Sequence, residues 1–446
     1  MSWRLIDSLA TTEALAEVFS DSSVLQAMLD FESALARAEA RVGVIPASAA
    51  ADITSAAQAV GFDASELARQ SLRAGTPAIP LVSMLTERVR AADAHSAGFV
   101  HWGATSQDVV DTAIVLLLKR SQTILAADHQ RLDLALRRLS DAHSRTVMLG
   151  RTLLQPAPPV TFGLKAAGWR AAVARGWLRM EEAFADALIL QFGGASGTLA
   201  ALGAHGLAVS AALAGELAIA NPSAPWHAHR DRLAALLSAC GIYTGTLGKM
   251  ALDIALLMQE EVGEAAEPGS AGRGGSSTMP HKRNPVACTI ALAAAGRVPG
   301  LVSSFLSGMA QEHERAAGAW QAEWPVVAGI VQSTGVALAS MAETAEGLTV
   351  YPERMQENLD ATRGAVFAER AMILLAPSLG RDVAHKLVEE AVRISRTSGR
   401  TLAEVLAQMP EATRVLTPAQ LGRLEVAGDY LGSAEMFRVR LLMEDT

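Results

Sequence analysis

The segment from Gly269 to Pro285, GSAGRGGSSTMPHKRNP, collects residue types that suit chemistry on an anion. Its glycines allow a sharp bend that can turn several backbone N–H groups toward one point. Lys282, Arg283 and a helix-starting Asn284-Pro285 pair add positive potential, and together these suit a carboxylate. Ser276 and Ser277 lie within the bend. Serine is a poor base in water, so a serine can move a proton here only if N–H groups and cations stabilise its alkoxide. A proton alpha to a carboxylate is very weakly acidic, so its transfer needs donors on the carboxylate oxygens, each contributing about 3 kcal/mol.

Two further segments offer hydrogen-bonding partners for a polar acid. His101 to Asp111, HWGATSQDVVD, presents Thr105, Ser106 and Gln107 at a helix entrance, where they either bind a ligand or cap the helix. Gly150 to Gly163, GRTLLQPAPPVTFG, supplies Thr152 and Gln155. Downstream, His313, Glu314 and Arg315, with Glu323 beyond, include an arginine whose planar fork can grip a carboxylate bidentately. Trp226, His227, His229, Arg230 and Arg232 cluster after a proline break, and both histidines read as surface or capping residues.

Helices must position these groups. Of the 446 residues, 50% are hydrophobic and only 4% aromatic, and alanine and leucine recur throughout, a composition that favours helices. Leu25, Met28, Leu29, Leu35 and Ala36 fall near helical spacing, as do Leu247, Met250, Ile254, Leu257 and Met258. Asp111 reads as the N-cap of TAIVLLLKR, and Asn284 with Pro285 as the start of VACTIALAAAGRV. We expect an all-α chain of three helical domains, 1–108, 109–350 and 351–446, the central one a long helix bundle.

Composition also excludes several classes. Cys240 and Cys288 have no ligand-spaced neighbours, so neither a disulfide framework nor a zinc site is expected, and no metal is assigned. No dinucleotide fingerprint or phosphate loop occurs, so no cofactor is expected. A formal charge of −8 argues against nucleic acid as a partner. The N-terminus lacks a signal-peptide pattern, and Ala201 to Ala220 is interrupted by His205, Glu216 and glycines. A soluble, cytoplasmic protein with no membrane partner is expected.

The string GSSTMPHKRNP, Gly275 to Pro285, closely resembles the signature of the fumarase/aspartase superfamily. The resemblance implies that Ser276 transfers the proton, that Lys282 and Asn284 hold a substrate carboxylate, and that Ser277 joins Thr105, Ser106, Gln107, Thr152, Gln155 and Arg315 in binding. It also implies a homotetramer with the central bundle as its core and active sites shared between chains. GRTLLQ is similar to the superfamily's G-R-T-H-x-Q, but Leu153 replaces the histidine associated with the departing group. A carboxylate, whose conjugate acid has a pKa of about 4, leaves without such help. GTPAIPLV, HWGATSQDVVDTA and PWHAHRDR resemble the 3-carboxy-cis,cis-muconate cycloisomerases within that superfamily, up to about residue 330. The implied reaction is lactone formation from a tricarboxylate by intramolecular carboxylate addition and proton transfer, in protocatechuate catabolism. The alternative is an amine-releasing lyase resembling adenylosuccinate lyase.

Overall fold

The computed structural model describes residues 5–269, 275, 279 and 282–444, so Ser276 and Ser277 lie outside the described residues. The chain is all-α, as expected. The elements that matter below are helices α1 (Asp21–Val42) and α2 (Ser106–Ala142), strands β1 (Val147–Thr152) and β2 (Gln155–Thr161), helices α3 (Phe162–Ala187), α4 (Gly206–Leu217), α5 (Asp231–Leu257), α6 (Val286–Ser307) and α7 (Ala319–Gly347), then α8 (Pro352–Asp360) and α9 (Arg381–Ser398). Two compact units interleave along the sequence. One comprises 1–130, 176–248 and 290–340, the other 131–175, 249–289 and 341–446.

In the first unit, α1 begins where Ser20 Oγ accepts from Ser23 N at 3.2 Å, and ends at Gly43, whose φ of 88° suits a residue without a side chain. The periodic residues Leu25, Met28, Leu29, Leu35 and Ala36 are all buried, together with Phe31, against α4 and neighbouring short helices. Helix α2 starts at Ser106, not at Asp111 as its capping chemistry suggested. Thr105 O accepts from Asp108 N at 3.0 Å, and the Asp108 carboxylate returns a bond to Thr105 N at 3.0 Å. A run of Thr, Ser and Asp offers several possible caps, and burial of both aspartates inside the helix decided between them.

In the second unit, β1 and β2 form an antiparallel hairpin over a stretch that composition marked only as proline-rich punctuation. Thr152 pairs with Gln155, leaving Leu153 and Leu154 as a two-residue turn with φ of 51° and 63°. A side chain at Gly150 would meet Pro158 O at 2.2 Å, so only glycine fits the irregular register there. The N-terminus of α6 is capped by the buried Glu267 carboxylate, which accepts from Ala287 N (3.1 Å) and Cys288 N (2.8 Å). The Asn284-Pro285 start therefore falls where expected, but its capping acceptor comes from upstream. A separate apolar core around Leu375, Leu402, Leu406 and Leu416 holds the C-terminal helices together.

Among the described residues, three helical stretches are long and apolar enough to cross a bilayer by length and composition alone: Ala200–Leu217, Val286–Ser307 and Ala319–Gly347. The first overlaps the stretch that its polar interruptions seemed to disqualify. Only 28% of the apolar window in α6 is buried within this chain.

Candidate active site

Helix α2 organises the candidate residues of the first unit. Thr105 and Ser106 are half-buried at its entrance, and Arg315 Nη1 donates to Thr105 Oγ1 at 2.7 Å while Nη2 donates to Ala195 O. The structure thus joins Thr105 and Arg315, which lie far apart in sequence. Gln107 points the other way. It is fully buried, and its Nε2 donates to His227 O (2.9 Å) and Asp111 Oδ2 (3.1 Å). Its place in the geometry is to brace the helix entrance.

Beneath that entrance, Asp108 is fully buried and accepts from Thr105 N, from Gly193 N (3.0 Å), from Gly194 N (2.9 Å) and from His227 Nε2 (2.7 Å). Four donors around one carboxylate answer the cost of burying it. Gly193 is required by the closeness of this packing, because a Cβ there would meet Pro225 at 2.7 Å and His227 at 2.8 Å. His227 is 4% exposed, which corrects its reading as a surface residue.

A second buried cluster lies one turn further along α2. Arg230 pairs bidentately with Asp111, at 2.8 and 3.0 Å, and also with Glu323, at 2.5 to 3.1 Å, while its guanidinium lies 4.6 Å from the Trp226 ring centroid. Trp320 Nε1 donates to Asp111 at 2.9 Å and Gln311 Nε2 to Glu323 at 2.7 Å. Burial opposes the charge on Arg230, but Asp111 and Glu323 outweigh it and hold the guanidinium more firmly protonated than usual. Burial raises the Glu323 carboxyl despite the arginine beside it. Glu323 is committed to this cluster by Arg230 and Gln311.

His101 Nδ1 lies 2.6 Å from Glu32 Oε1. Burial disfavours its charged form, yet the Glu32 carboxylate prevails and raises its pKa. Glu39, about two turns further along the same face of α1, is pushed up to about 9 by burial and by Glu32.

In the second unit, Thr152 and Gln155 sit opposite each other beside the hairpin turn and are exposed. Leu153, where the superfamily histidine would stand, is 97% exposed. Arg151 is tied down by the buried Glu264, at 2.9 and 2.7 Å. Lys282 and Asn284 precede α6, and neither side chain makes a hydrogen bond or ion pair with the described residues. Among the described residues no cluster of His, Cys, Asp and Glu is arranged to hold a metal, and Cys240 and Cys288 are buried and not joined in a disulfide.

A helical chain with buried acids below the Thr-Ser entrance and Lys282 and Asn284 ahead of α6 has the parts of a carboxylate-handling enzyme. A family model described as lyase matches residues 9–300, and one described as adenylosuccinate lyase C-terminus matches 364–441. The chain belongs to this lyase family, within the fumarase/aspartase superfamily. It is 47% identical to a 3-carboxy-cis,cis-muconate cycloisomerase of Bradyrhizobium diazoefficiens, over 98% of this chain and 97% of the relative. It is 42% identical to a nitrosuccinate lyase of Streptomyces davaonensis, over 93% of this chain and 89% of that one. The solved 3-carboxy-cis,cis-muconate lactonizing enzyme from Pseudomonas putida superposes with a TM-score of 0.92 at 44% identity, covering 98% of both chains. Similarity thus continues through the C-terminal helices, where motif resemblance alone had faded.

Proposed function

We propose that this chain cyclises 3-carboxy-cis,cis-muconate to a carboxymuconolactone in aromatic-acid catabolism. The observation that carries the reading is 47% identity, along nearly the whole of both chains, to an enzyme of that name. Lys282 and Asn284, with loop N–H groups, hold one carboxylate and stabilise its charge-bearing form while a second carboxylate adds to the double bond. Ser276 delivers the proton to carbon. Thr105, Ser106, Thr152, Gln155, Ser277 and Arg315 orient the remaining carboxylates, and Gln107 supports them through Asp111 and the His227 carbonyl. Leu153 is consistent with this chemistry, because the bond formed to a carboxylate oxygen needs no acid at that position.

A homotetramer belongs to the same reading. It is supported by the open apolar surface of α6 and by a shallow groove between α5 and α6, where Ile242 and Leu306 are 56% and 44% exposed. A cytoplasmic setting and the division at about residues 108 and 350 complete it.

The test is ultraviolet absorbance after adding purified protein to 3-carboxy-cis,cis-muconate, since ring closure removes the conjugated diene. Rapid loss of the band is expected, with Ser276→Ala reducing the rate by roughly a thousandfold or more. The relative that is a nitrosuccinate lyase favours a second reading, because nitrite, like a carboxylate, departs without an acid at Leu153. Nitrite release from nitrosuccinate, or fumarate release from adenylosuccinate, with a stable muconate band would replace the cycloisomerase reading.

A further inference from the structure

The second unit contains a cavity of about 690 Å³ between the end of the hairpin, the turn after α8 and helix α9. That volume lies within the range of roughly 300–1,000 Å³ common for small-molecule sites. Arg151, Arg363 and Arg396 line it, and no carboxylate does. Glu264, fully buried behind the wall, answers the charge of Arg151 through two hydrogen bonds. Arg363 and Arg396 make no side-chain hydrogen bond or ion pair with any described residue. Two uncompensated guanidinium groups therefore face one cavity in a chain whose net charge is −8.

The backbone holds Arg363 there at a cost. Its φ of 50° is left-handed, a conformation that disfavours a residue with a side chain by about 1 kcal/mol or more. The turn is locked on both sides: Arg363 N donates to Asp360 O at 2.8 Å, and Arg363 O accepts from Leu402 N at 3.0 Å. Gln155, from the hairpin, lines the same cavity with its amide uncommitted.

We propose that this cavity binds a small polycarboxylate, with Arg363 and Arg396 each gripping a carboxylate and Gln155 donating a further hydrogen bond. Guanidinium forks match carboxylates in geometry as well as charge, and two forks in one cavity select an anion with more than one carboxylate. The ligand class is that of the proposed substrate, which is one source; a separate carboxylate effector is the other. The binding test below requires no turnover and so stands apart from the proposed reaction.

The probe is tricarballylate, a flexible unreactive tricarboxylate. Intact protein is treated with phenylglyoxal, and labelling of each arginine is read by peptide mass spectrometry. Tricarballylate is expected to reduce labelling of Arg363 and Arg396 several-fold while glycerol does not, with the exposed Arg69 and Arg393 as unaffected controls. In Arg363→Gln, checked for native circular dichroism, protection of Arg396 should fall away. Unchanged labelling of Arg363 and Arg396 in the wild type, or full protection of Arg396 in Arg363→Gln, overturns the proposal. The double variant Arg363→Gln/Arg396→Gln then identifies the source. A KM for the muconate raised roughly tenfold with kcat little changed assigns the cavity to the substrate, whereas an unchanged KM assigns it to an effector.

Discussion

Asp108 and Asp111 lie three residues apart on α2, and each is buried by a different set of donors. Asp108 is held by backbone N–H groups and His227, Asp111 by the forked arginine Arg230. Both sets stiffen the helix entrance that presents Thr105 and Ser106, since shifting that entrance would strand a buried charge. At Glu39 the balance runs the other way, because no cation offsets the burial that raises its pKa. A carboxyl whose folded-state pKa exceeds its unfolded value favours folding only in its protonated form. That contribution is whole below the unfolded pKa near 4.5 and is lost as the pH climbs toward about 9. Glu39→Gln should therefore stabilise the protein little at about pH 4.5 and by about 3 kcal/mol at pH 7, with a larger gain at pH 8.5. Thermal midpoints across that range measure it; a gain independent of pH would show that Glu39 is not the titrating group.

At the scale of elements, the hairpin departs most from what composition suggests. Its two-residue turn has positive φ at both positions, the geometry for which Asn-Gly is the usual solution, yet it carries Leu153 and Leu154. Its second strand contains Pro156, Pro158 and Pro159, which remove ladder donors and ordinarily count against a strand. A two-stranded ladder has a free outer edge on each strand, so prolines are tolerated where the missing N–H would face outward. Replacing the turn by Leu153→Asn/Leu154→Gly is expected to raise the thermal midpoint, through relief of about 1–2 kcal/mol of backbone strain. If turnover drops while the midpoint rises, the leucines serve the reaction and not the turn; a lower midpoint would contradict the strain argument. The start of α2 departs for a different reason. Capping preference is a local property, whereas the burial of Asp111 depends on Arg230 and Trp320 arriving from distant parts of the chain.

At the scale of the whole molecule, apolar surface remains to be covered. Helix α6 exposes most of its apolar window, and the groove beside it contains Ile242, Val302 and Leu306. Burial of a leucine-sized side chain is worth about 1.5–3 kcal/mol, so Ile242→Asp together with Leu306→Asp should disrupt an interface built on this face. Light scattering after size exclusion is expected to give a four-chain mass for the wild type and a smaller assembly for the double variant. A wild-type mass of one chain would remove the tetramer from the reading.

Sequence alone determined the features that are local in the chain. Helical class follows from alanine and leucine at three-and-four spacing, family membership from eleven consecutive residues, and the missing acid from one letter at Leu153. None of these depends on knowing what lies opposite. Tertiary structure decided which polar groups are occupied and which are free. Arg230 reaches Asp111 across 119 positions and Glu323 across 93, so both carboxylates are occupied by one buried arginine. Arg315 reaches Thr105 across 210 positions, while Arg363 and Arg396 line one cavity and pair with no carboxylate among the described residues. A side chain's type limits what it can do, but burial and partners determine what it does, and both are set by contacts between residues far apart in sequence.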